Sequence, residues 1–330
     1  MNRSRLLLIV LLVIVIVLGS GPWQIFGRFT GFSYANADKY TIGDTEITSA
    51  VENLEIDWTS GKVNIEYHDG SGVSVSEVAN RSTSEDEKLR WWLDGTTLRI
   101  KFAKPQLTVF NNLQKTLTVS LPKGIVLKNV DIDTTSADIS ALTLLADEIR
   151  FDTTSGGVNA VITVKKLTAS STSGDLDIRQ NIDIKTASLS STSGTVAFTV
   201  SSAEKISMES TSGDLSVTVS GTVGNLDLDS TSGSIRPDIA GVEKAKISST
   251  SGDITATVGS FTDLDVDATS GDVTLKLPET TGFTLVLDAR PKKLRTSLPM
   301  AVKDEDKYVF GDGSARLRVS TTSGEIRIEQ

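Results

Sequence analysis

The sequence predicts an all-β protein, a parallel β-solenoid (β-helix-like) with coils of about 19 residues, preceded by one N-terminal transmembrane or signal helix. Three observations support this fold class. A five-residue word of the type Ser-Thr-Ser-Gly-Asp recurs along the chain, and apolar residues alternate with polar ones on both sides of it. The composition is rich in Ser, Thr, Val, Asp and Gly and contains no cysteine, which favours β structure without a disulfide framework.

The spacing of the repeated word is nearly constant. Its glycine position recurs in steps of 19, 18, 20, 19, 20, 19 and 19 residues. The positions are Ala137, Gly156, Gly174, Gly194, Gly213, Gly233, Gly252 and Gly271. A fixed period is typical of a repeat architecture, in which stacked units bury an apolar face that one unit cannot bury alone. A propeller blade needs about 40 residues and four strands, so this period favours a solenoid.

The first element is an apolar segment after Arg3 and Arg5. Residues 6–18 are aliphatic without interruption, which suits a secretory signal, whereas a spanning helix takes about 20 residues. The uncharged stretch continues to residue 27 and includes Trp23 and Phe26, aromatic residues of the type found at membrane interfaces. We therefore favour a retained single-pass anchor over residues 6–26.

The alternative is secretion after cleavage near Ala37. In either case the positive-inside rule places the residues after about 38 on the extracytoplasmic side. Removing the three arginines of residues 1–37 from the net charge of −9 leaves −12 on the remainder. An acidic body argues against nucleic acid as a partner, since phosphate neutralisation needs a basic face.

We divide the chain into five parts. They are a membrane anchor or signal segment (1–27), a linker (28–44), irregular β coils and hairpins (45–124), regular 19-residue repeats (125–278) and enlarged C-terminal coils with a cap (279–330). In the irregular part, residues 68–72 predict a hairpin loop, and Asp94-Gly95 predicts a hairpin turn between alternating strands. A further strand is expected to end at Pro122.

Each regular repeat is predicted to be a strand, a tight turn and a second strand. Counting from the glycine, apolar residues lie at −7 and −5 and at +2, +4 and +6, so the parity changes across the turn. We expect the glycine to supply a positive φ at this corner. The serines at −1 are expected to point inward: Ser136, Ser155, Ser173, Ser193, Ser212, Ser232, Ser251 and Ser270. The threonines at −2 are expected to point outward, including Thr172, Thr192, Thr211, Thr231, Thr250 and Thr269.

An interrupted column of carboxylates at +1 is the most suggestive chemical feature. Between Asp138 and Asp253 every second member is neutral, which limits repulsion between stacked charges. We expect these acids to bond turn amides. The outward face would then combine the six threonines with Asp175, Asp214, Asp253 and Asp272. Only Asp253 and Asp272 are neighbours in the regular repeat, which makes them the weak candidates for a metal site.

The repeated Thr-Ser-Gly-Asp words, Leu-Pro-Lys-Gly at 121–124 and Thr-Thr-Ser-Gly-Glu-Ile-Arg-Ile at 321–328 carry a family resemblance. The chain resembles the membrane-anchored type of a bacterial β-strand-repeat family of unknown function, whose members are described as candidate adhesins. The resemblance covers roughly residues 45–330. It implies a parallel β-solenoid behind a membrane anchor, sometimes linked to envelope stress, and it supplies no catalytic residues.

The sequence therefore predicts a cell-envelope interaction module without a catalytic residue, metal or cofactor. The single histidine, His68, lies in a predicted loop, and nucleophile-elbow, P-loop and zincin motifs do not occur. The expected partner is an envelope protein or a cell-wall glycan. Two alternatives stay open. One is a sensor ectodomain of an envelope-stress response; the other is a solenoid polysaccharide lyase or hydrolase that uses Asp253 or Asp272.

Overall fold

The computed structural model describes residues 34–105, 112–278, 282–288, 294–304 and 306–330. These residues form two short 3-10 helices, Ala37–Lys39 and Glu85–Glu87, and 25 strands. The strands, numbered β1 to β25 in chain order, are Thr41–Ile42, Thr45–Ile47, Asn53–His68, Val73–Ala79, Arg90–Asp94, Thr97–Lys101, Lys115–Pro122, Leu127–Thr153, Val158–Thr163, Lys166–Ser171, Leu176–Gln180, Ile184–Ser191, Val196–Val200, Ala203–Ser210, Leu215–Ser230, Ile235–Ser249, Ile254–Val258, Phe261–Ala268, Val273–Lys276, Phe283–Asp288, Leu294–Thr296, Ala301–Asp304, Lys307–Phe310, Ala315–Thr321 and Ile326–Glu329.

Two series of parallel strands run along the molecule and form its two faces. The first face pairs the strands in the order β6, β3, β8, β10, β12, β14, β15, β16, β18, β24 and β20. The second has the order β7, β3, β8, β9, β11, β13, β15, β16, β17, β19, β25 and β21. The all-β, parallel, solenoid-like architecture predicted from the period is confirmed.

The alternation of side chains explains why each of the two strands of a coil has one buried side and one side that faces solvent. In β12, Ala187 and Leu189 are buried while Ser190 is only partly buried; in β13, Val196 and Phe198 are buried on the other side of the corner. Successive side chains of a strand point to opposite faces, so these residues meet in one interior. The core is a single cluster that extends from Ile47 to Ile328.

Antiparallel strands close both ends of the parallel stack. At the N-terminal end, β4 lies against β7 and β2 against β4, while β5 pairs with β6 and β1 with β5. At the C-terminal end, β23 pairs with β20 and β22 with β23. The outermost strands are short, β1 with two residues and β22 with four. Short edge strands limit edge-to-edge association.

The predicted hairpin across residues 68–72 is wrong. Strands β3 and β4 flank this loop, but β7 lies between them, parallel to β3 and antiparallel to β4. The adjacency of β3 and β4 in the sequence favoured direct pairing between them. In the structure β7, which begins about fifty residues after the end of β3, lies between the two strands. The hairpin of β5 and β6 around Gly95, which has a φ of 62°, is confirmed, as is the strand end at Pro122.

The chain does not finish at the end of the stack. The last repeat, formed by β24 and β25, packs directly on β18 and β19, and the earlier strands β20 and β21 lie outside it. The strands of the predicted enlarged C-terminal coils (279–330) are therefore not stacked in sequence order. Arg316 pairs with Asp263 at 3.1 Å, and Arg318 lies 3.5 Å from Asp265, so opposite charges match across this contact. Charge pairing of facing strands favours this order.

The predicted N-terminal anchor or signal helix lies outside the described residues. Within the described part of the chain, no helix is long and apolar enough to cross a membrane.

The corner glycines are required by close approach of neighbouring coils. A Cβ built on Gly156 would lie 1.9 Å from the carbonyl oxygen of Ala137, and one on Gly213 would lie 2.0 Å from that of Gly194. The same contact recurs at Gly174, Gly194, Gly233, Gly252, Gly271 and Gly324. None of these glycines has a positive φ, so the expected left-handed corner is wrong. Even a methyl group cannot fit between the stacked carbonyls.

Two adjacent glycines in one corner allow a matched test of this contact. Gly156→Ala is expected to lower the free energy of unfolding by about 3 kcal/mol, because the new methyl group overlaps the backbone of the preceding coil. The neighbouring Gly157→Ala is the control, since its Cβ would meet nothing nearer than 3.5 Å. Its stability should stay within about 1 kcal/mol of wild type. Urea unfolding measures both, and equal effects would contradict the contact.

A buried lysine holds the N-terminal end together. The Lys115 side chain is fully buried, and its Nζ lies 2.6 Å from the Glu77 carboxylate. It also donates to the Glu87 carbonyl at 2.7 Å and to the Phe102 carbonyl. The ammonium lies 4.9 Å from the Trp58 ring centroid. Burial lowers the pKa of Lys115, and the Glu77 carboxylate opposes that shift.

Removing one member of this pair should be costly. Glu77→Gln leaves the Lys115 ammonium buried without its counter-charge and is expected to lower the free energy of unfolding by roughly 3–5 kcal/mol. Adding Lys115→Met to that variant should recover most of the loss, because no buried charge is left. Chemical denaturation of the single and double variants checks this. A double variant no more stable than Glu77→Gln would contradict it.

Candidate interaction surface

We define the corner column as the stacked residues at positions −3 to +1 of the repeated word. Position −3 carries the buried hydroxyls, at Thr134, Thr153, Ser171, Ser191, Ser210, Ser230, Ser249 and Thr321. Several bond their own corner: the Gly194 amide donates to Ser191 at 2.8 Å, and the Gly252 amide donates to Ser249 at 2.9 Å. This position continues the inward parity of −7 and −5, which is why it is buried.

The serines at −1 are exposed, so the prediction that they point inward is wrong for all eight. Residues −2 and −1 both face solvent, and the glycine that follows them is buried. The two consecutive exposed residues shift the buried positions from odd numbers before the glycine to even numbers after it. The sequence rule assumed that strand alternation continues up to the glycine. Instead, the backbone amides of these two residues donate to the preceding coil, as for Thr211 to Ser191 and Ser212 to Thr192.

The threonines at −2 form an exposed line along the corner. Thr172, Thr192, Thr211, Thr231, Thr250 and Thr269 all face solvent. Within the described residues, none of these six side chains takes part in a hydrogen bond that holds the fold together. Stacked coils place equivalent residues about 4.8 Å apart. The corner thus presents a regular row of methyl and hydroxyl groups whose hydrogen-bonding capacity is open to a partner.

The carboxylates at +1 contact the next coil in the stack. Oδ1 of Asp175 accepts from the Thr195 amide at 2.7 Å, and Oδ1 of Asp214 accepts from the Ser234 amide at 2.8 Å. Three further acids do the same: Oδ1 of Asp138 accepts from the Gly157 amide, that of Asp253 from the Asp272 amide, and that of Asp272 from the Glu325 amide. A charged acceptor on a backbone amide is a strong hydrogen bond. One oxygen of each acid therefore holds adjacent coils together.

Asp253 and Asp272 are thus joined through the backbone, since Oδ1 of Asp253 accepts from the Asp272 amide at 2.9 Å. Oδ1 of Asp272 is likewise engaged by Glu325, whose own carboxylate pairs with Arg295 at 2.9 Å. In the described part of the chain, no group of three or more acidic or histidine side chains could hold a metal ion. The arrangement is that of a structural contact.

His68 contacts the backbone of the predicted loop in which it lies. It is the last residue of β3 and is partly buried. Its Nε2 lies 2.8 Å from the Gly72 carbonyl oxygen, and its Nδ1 accepts from the Gly70 amide at 3.1 Å. These contacts assign Nε2 as the protonated nitrogen, because a carbonyl oxygen can only accept. Both ring nitrogens are therefore occupied by the loop backbone.

Asp214 has the most strongly supported charge in the corner column. The Arg236 guanidinium donates to Oδ2 at 2.7 Å, and the Ser234 amide occupies Oδ1. The hydrogen bond from Arg236 holds the pKa of Asp214 below its ordinary value, and the Ser234 amide adds to the shift. The ionised carboxylate is therefore the form that the fold favours.

A pH dependence follows from this pKa. Because the folded state lowers it, the contribution of Asp214 to stability is complete above about pH 4 and is lost as the pH falls through the folded-state value. Asp214→Asn should therefore lower the unfolding temperature at pH 7. At pH 3 the difference in unfolding temperature between the variant and the wild type should be smaller than at pH 7. Thermal unfolding across this range measures the difference. Asp238→Asn, at an exposed carboxylate of β16, is the control. A difference that does not change with pH would contradict the assignment.

Three solved structures resemble the chain at low sequence identity. A candidate adhesin from Bacteroides fragilis is 15% identical, with a TM-score of 0.39 over 73% of this chain and 97% of its own. A candidate cell adhesion protein from Clostridium sporogenes is 13% identical, with a TM-score of 0.20 over 88% and 99%. A candidate lipid-binding protein from Parabacteroides distasonis is 14% identical, with a TM-score of 0.33 over 88% and 96%. No curated protein matches the chain.

A protein family does match, and it covers most of the sequence. The Toastrack family DUF4097 matches residues 51–262 and, in an overlapping second match, residues 162–329. The two matches together include the whole corner column and strands from both ends of the stack. They confirm the resemblance to a β-strand-repeat family of unknown function. The chain belongs to the Toastrack DUF4097 family.

Proposed function

We propose that the protein is a non-catalytic, adhesin-like interaction module of the bacterial cell envelope. In this proposal residues 6–26 hold it at the membrane, and the body after about residue 38 lies on the extracytoplasmic side. The threonine line of the corner column binds an envelope protein or a cell-wall glycan. The observation that carries the proposal is the division of labour in the corner: buried hydroxyls, glycines and carboxylates maintain the stack, whereas the exposed threonine hydroxyls do not.

The chemistry of this line suits a long, repetitive partner. Each threonine offers a hydroxyl that can donate and accept, beside a methyl group that an apolar patch can cover. One such contact is weak, but many at a constant spacing add affinity when a polymer engages several at once. The acidic body, at −12 for residues 38–330, favours a neutral or cationic partner over an anionic one.

The carboxylates contribute differently from the earlier expectation of a combined threonine and aspartate face. Oδ1 of Asp175, Asp214, Asp253 and Asp272 is engaged by the next coil, and Oδ2 of Asp214 also accepts from Arg236, so only the second oxygens of Asp175, Asp253 and Asp272 are left for a partner. A general acid or nucleophile needs a carboxylate that can change its bonding during the reaction. The amide contacts oppose such a change, which supports binding over polysaccharide cleavage.

Site-specific photocrosslinking in intact cells tests this proposal. A photoreactive residue at Thr211, on the exposed corner, should yield discrete products with an envelope protein or wall fragment, identified by mass spectrometry. The control places the same residue at Glu243, which is equally exposed but lies outside the corner column. Identical products from both positions, or none from Thr211, would contradict an interaction surface at the threonine line.

A triple variant measures the energetic role of the same line. Thr192→Ala, Thr211→Ala and Thr231→Ala together should weaken binding to isolated cell envelopes about tenfold or more through lost multivalency. Because the three side chains are exposed, each substitution should change the free energy of unfolding by no more than about 0.5 kcal/mol. Sedimentation binding and urea unfolding report the two quantities separately. Loss of stability without loss of binding would reverse the assigned roles.

A further inference from the structure

The stack opens into a cleft between β3 and β8. Strand β3 pairs with β8 only as far as Ile65 opposite Ala141, whereas its pairing with β7 continues to His68 opposite Pro122. Among the described strands, none therefore pairs with residues 66–68 of β3 on the side that faces β8. These residues present a strand edge of the kind that can receive another strand.

An irregularity in β8 produces this opening. The register of β8 with β9 shifts between Leu142 and Leu144, so that Thr143 is an extra residue. Thr143 has a φ of 71°, in the left-handed region that a β-branched residue adopts only at a cost. Strained residues and bulges concentrate at functional sites, where they redirect side chains. Here the bulge leaves Leu142 66% exposed.

The cleft has the size and lining of a binding site. Its volume is about 620 Å³, and its walls include Ile65, Tyr67, Lys123, Leu142, Thr143 and Leu145. Volumes of this order are typical of ligand sites. The Tyr67 hydroxyl accepts from the Leu145 amide at 3.2 Å and spans the opening. Burial raises the pKa of Tyr67, so the hydroxyl keeps its proton as a donor.

The charges around the cleft favour a cationic ligand. Lys123 forms an ion pair with Asp69 at 2.8 Å, whereas the Glu66 carboxylate has, among the described residues, only the Ser120 hydroxyl as its donor, at 2.9 Å. Glu66 is exposed and lines the opening. The body as a whole carries −12 over residues 38–330. A basic ligand therefore meets a local carboxylate and a favourable long-range field.

We propose that this cleft binds an extended basic peptide segment of a partner protein. The segment adds its backbone to the edge of β3 at residues 66–68, places an apolar side chain against Tyr67 and Leu142, and places a lysine or arginine beside Glu66. Backbone pairing supplies affinity and the alternate side chains supply selectivity, as in other cases of strand addition. This site lies away from the threonine line and does not depend on the function proposed for it.

Binding of a defined peptide tests the proposal with the full-length protein. The probe is a fluorescein-labelled hexapeptide of alternating lysine and valine, and the same peptide with glutamate in place of lysine is its control. Fluorescence anisotropy should show binding of the basic peptide only, weakening as salt is added. Leu142→Ser and Glu66→Gln should each weaken it about fivefold or more. Val302→Ser, at a side chain 70% exposed on β22, should leave it within about twofold of wild type.

Hydrogen exchange adds a readout specific to strand addition. Amides of residues 66–68 should exchange more slowly when the peptide is bound. The triple threonine variant should bind the hexapeptide as wild type does, which separates this site from the function proposed above. Absence of peptide binding, equal binding by Leu142→Ser, or binding of the apolar dye 1-anilinonaphthalene-8-sulfonate in the cleft without peptide binding would each overturn the proposal.

Discussion

The contact between stacked corner backbones is the constraint on which the rest of the structure depends. From Ala137 onward, the carbonyl oxygen of each corner residue lies where the next coil would place a Cβ atom, so the glycines of those following coils exclude other residues by contact rather than by conformation. This close contact between corner backbones fixes the register of the strands on both faces, because one strand of each coil ends at the corner and the other begins there. Buried hydroxyls at −3, such as that of Ser191, and the carboxylates at +1 then accept hydrogen bonds from backbone amides of the corner. One repeated word thus encodes a backbone contact and its hydrogen-bonding partners.

The period and the alternation were sufficient to predict the parallel stack, since both follow from local geometry that the sequence records directly. The use of the aspartates was also predictable, because adjacent carboxylates repel and amides are the nearest donors. The exposure of the serines at −1 was not predictable, because the rule of alternation does not hold through a corner. Ser212 would be inward if the strand continued to Gly213, yet the strand β14 ends at Ser210.

Long-range order was the other feature beyond the reach of sequence patterns. The insertion of β7 between β3 and β4, and of β24 between β18 and β20, depends on which distant strands match in charge and apolar surface. The cleft beside β8 had a weak local signal. Residues 141–145 contain four apolar residues around Thr143, which breaks the alternation seen in other coils. An extra residue of this kind is the sequence trace of a bulge.

The absence of cysteine from the chain permits a direct test of the corner geometry. Single cysteines at Ser210, Thr211 and Ser212 report the exposure of positions −3, −2 and −1 of one repeat through their rates of reaction with a maleimide. The structure predicts fast labelling at Thr211 and Ser212 and protection at Ser210, with protection lost in denaturant. Fast labelling at Ser210 together with protection at Ser212 would contradict this corner and the surface assigned to it.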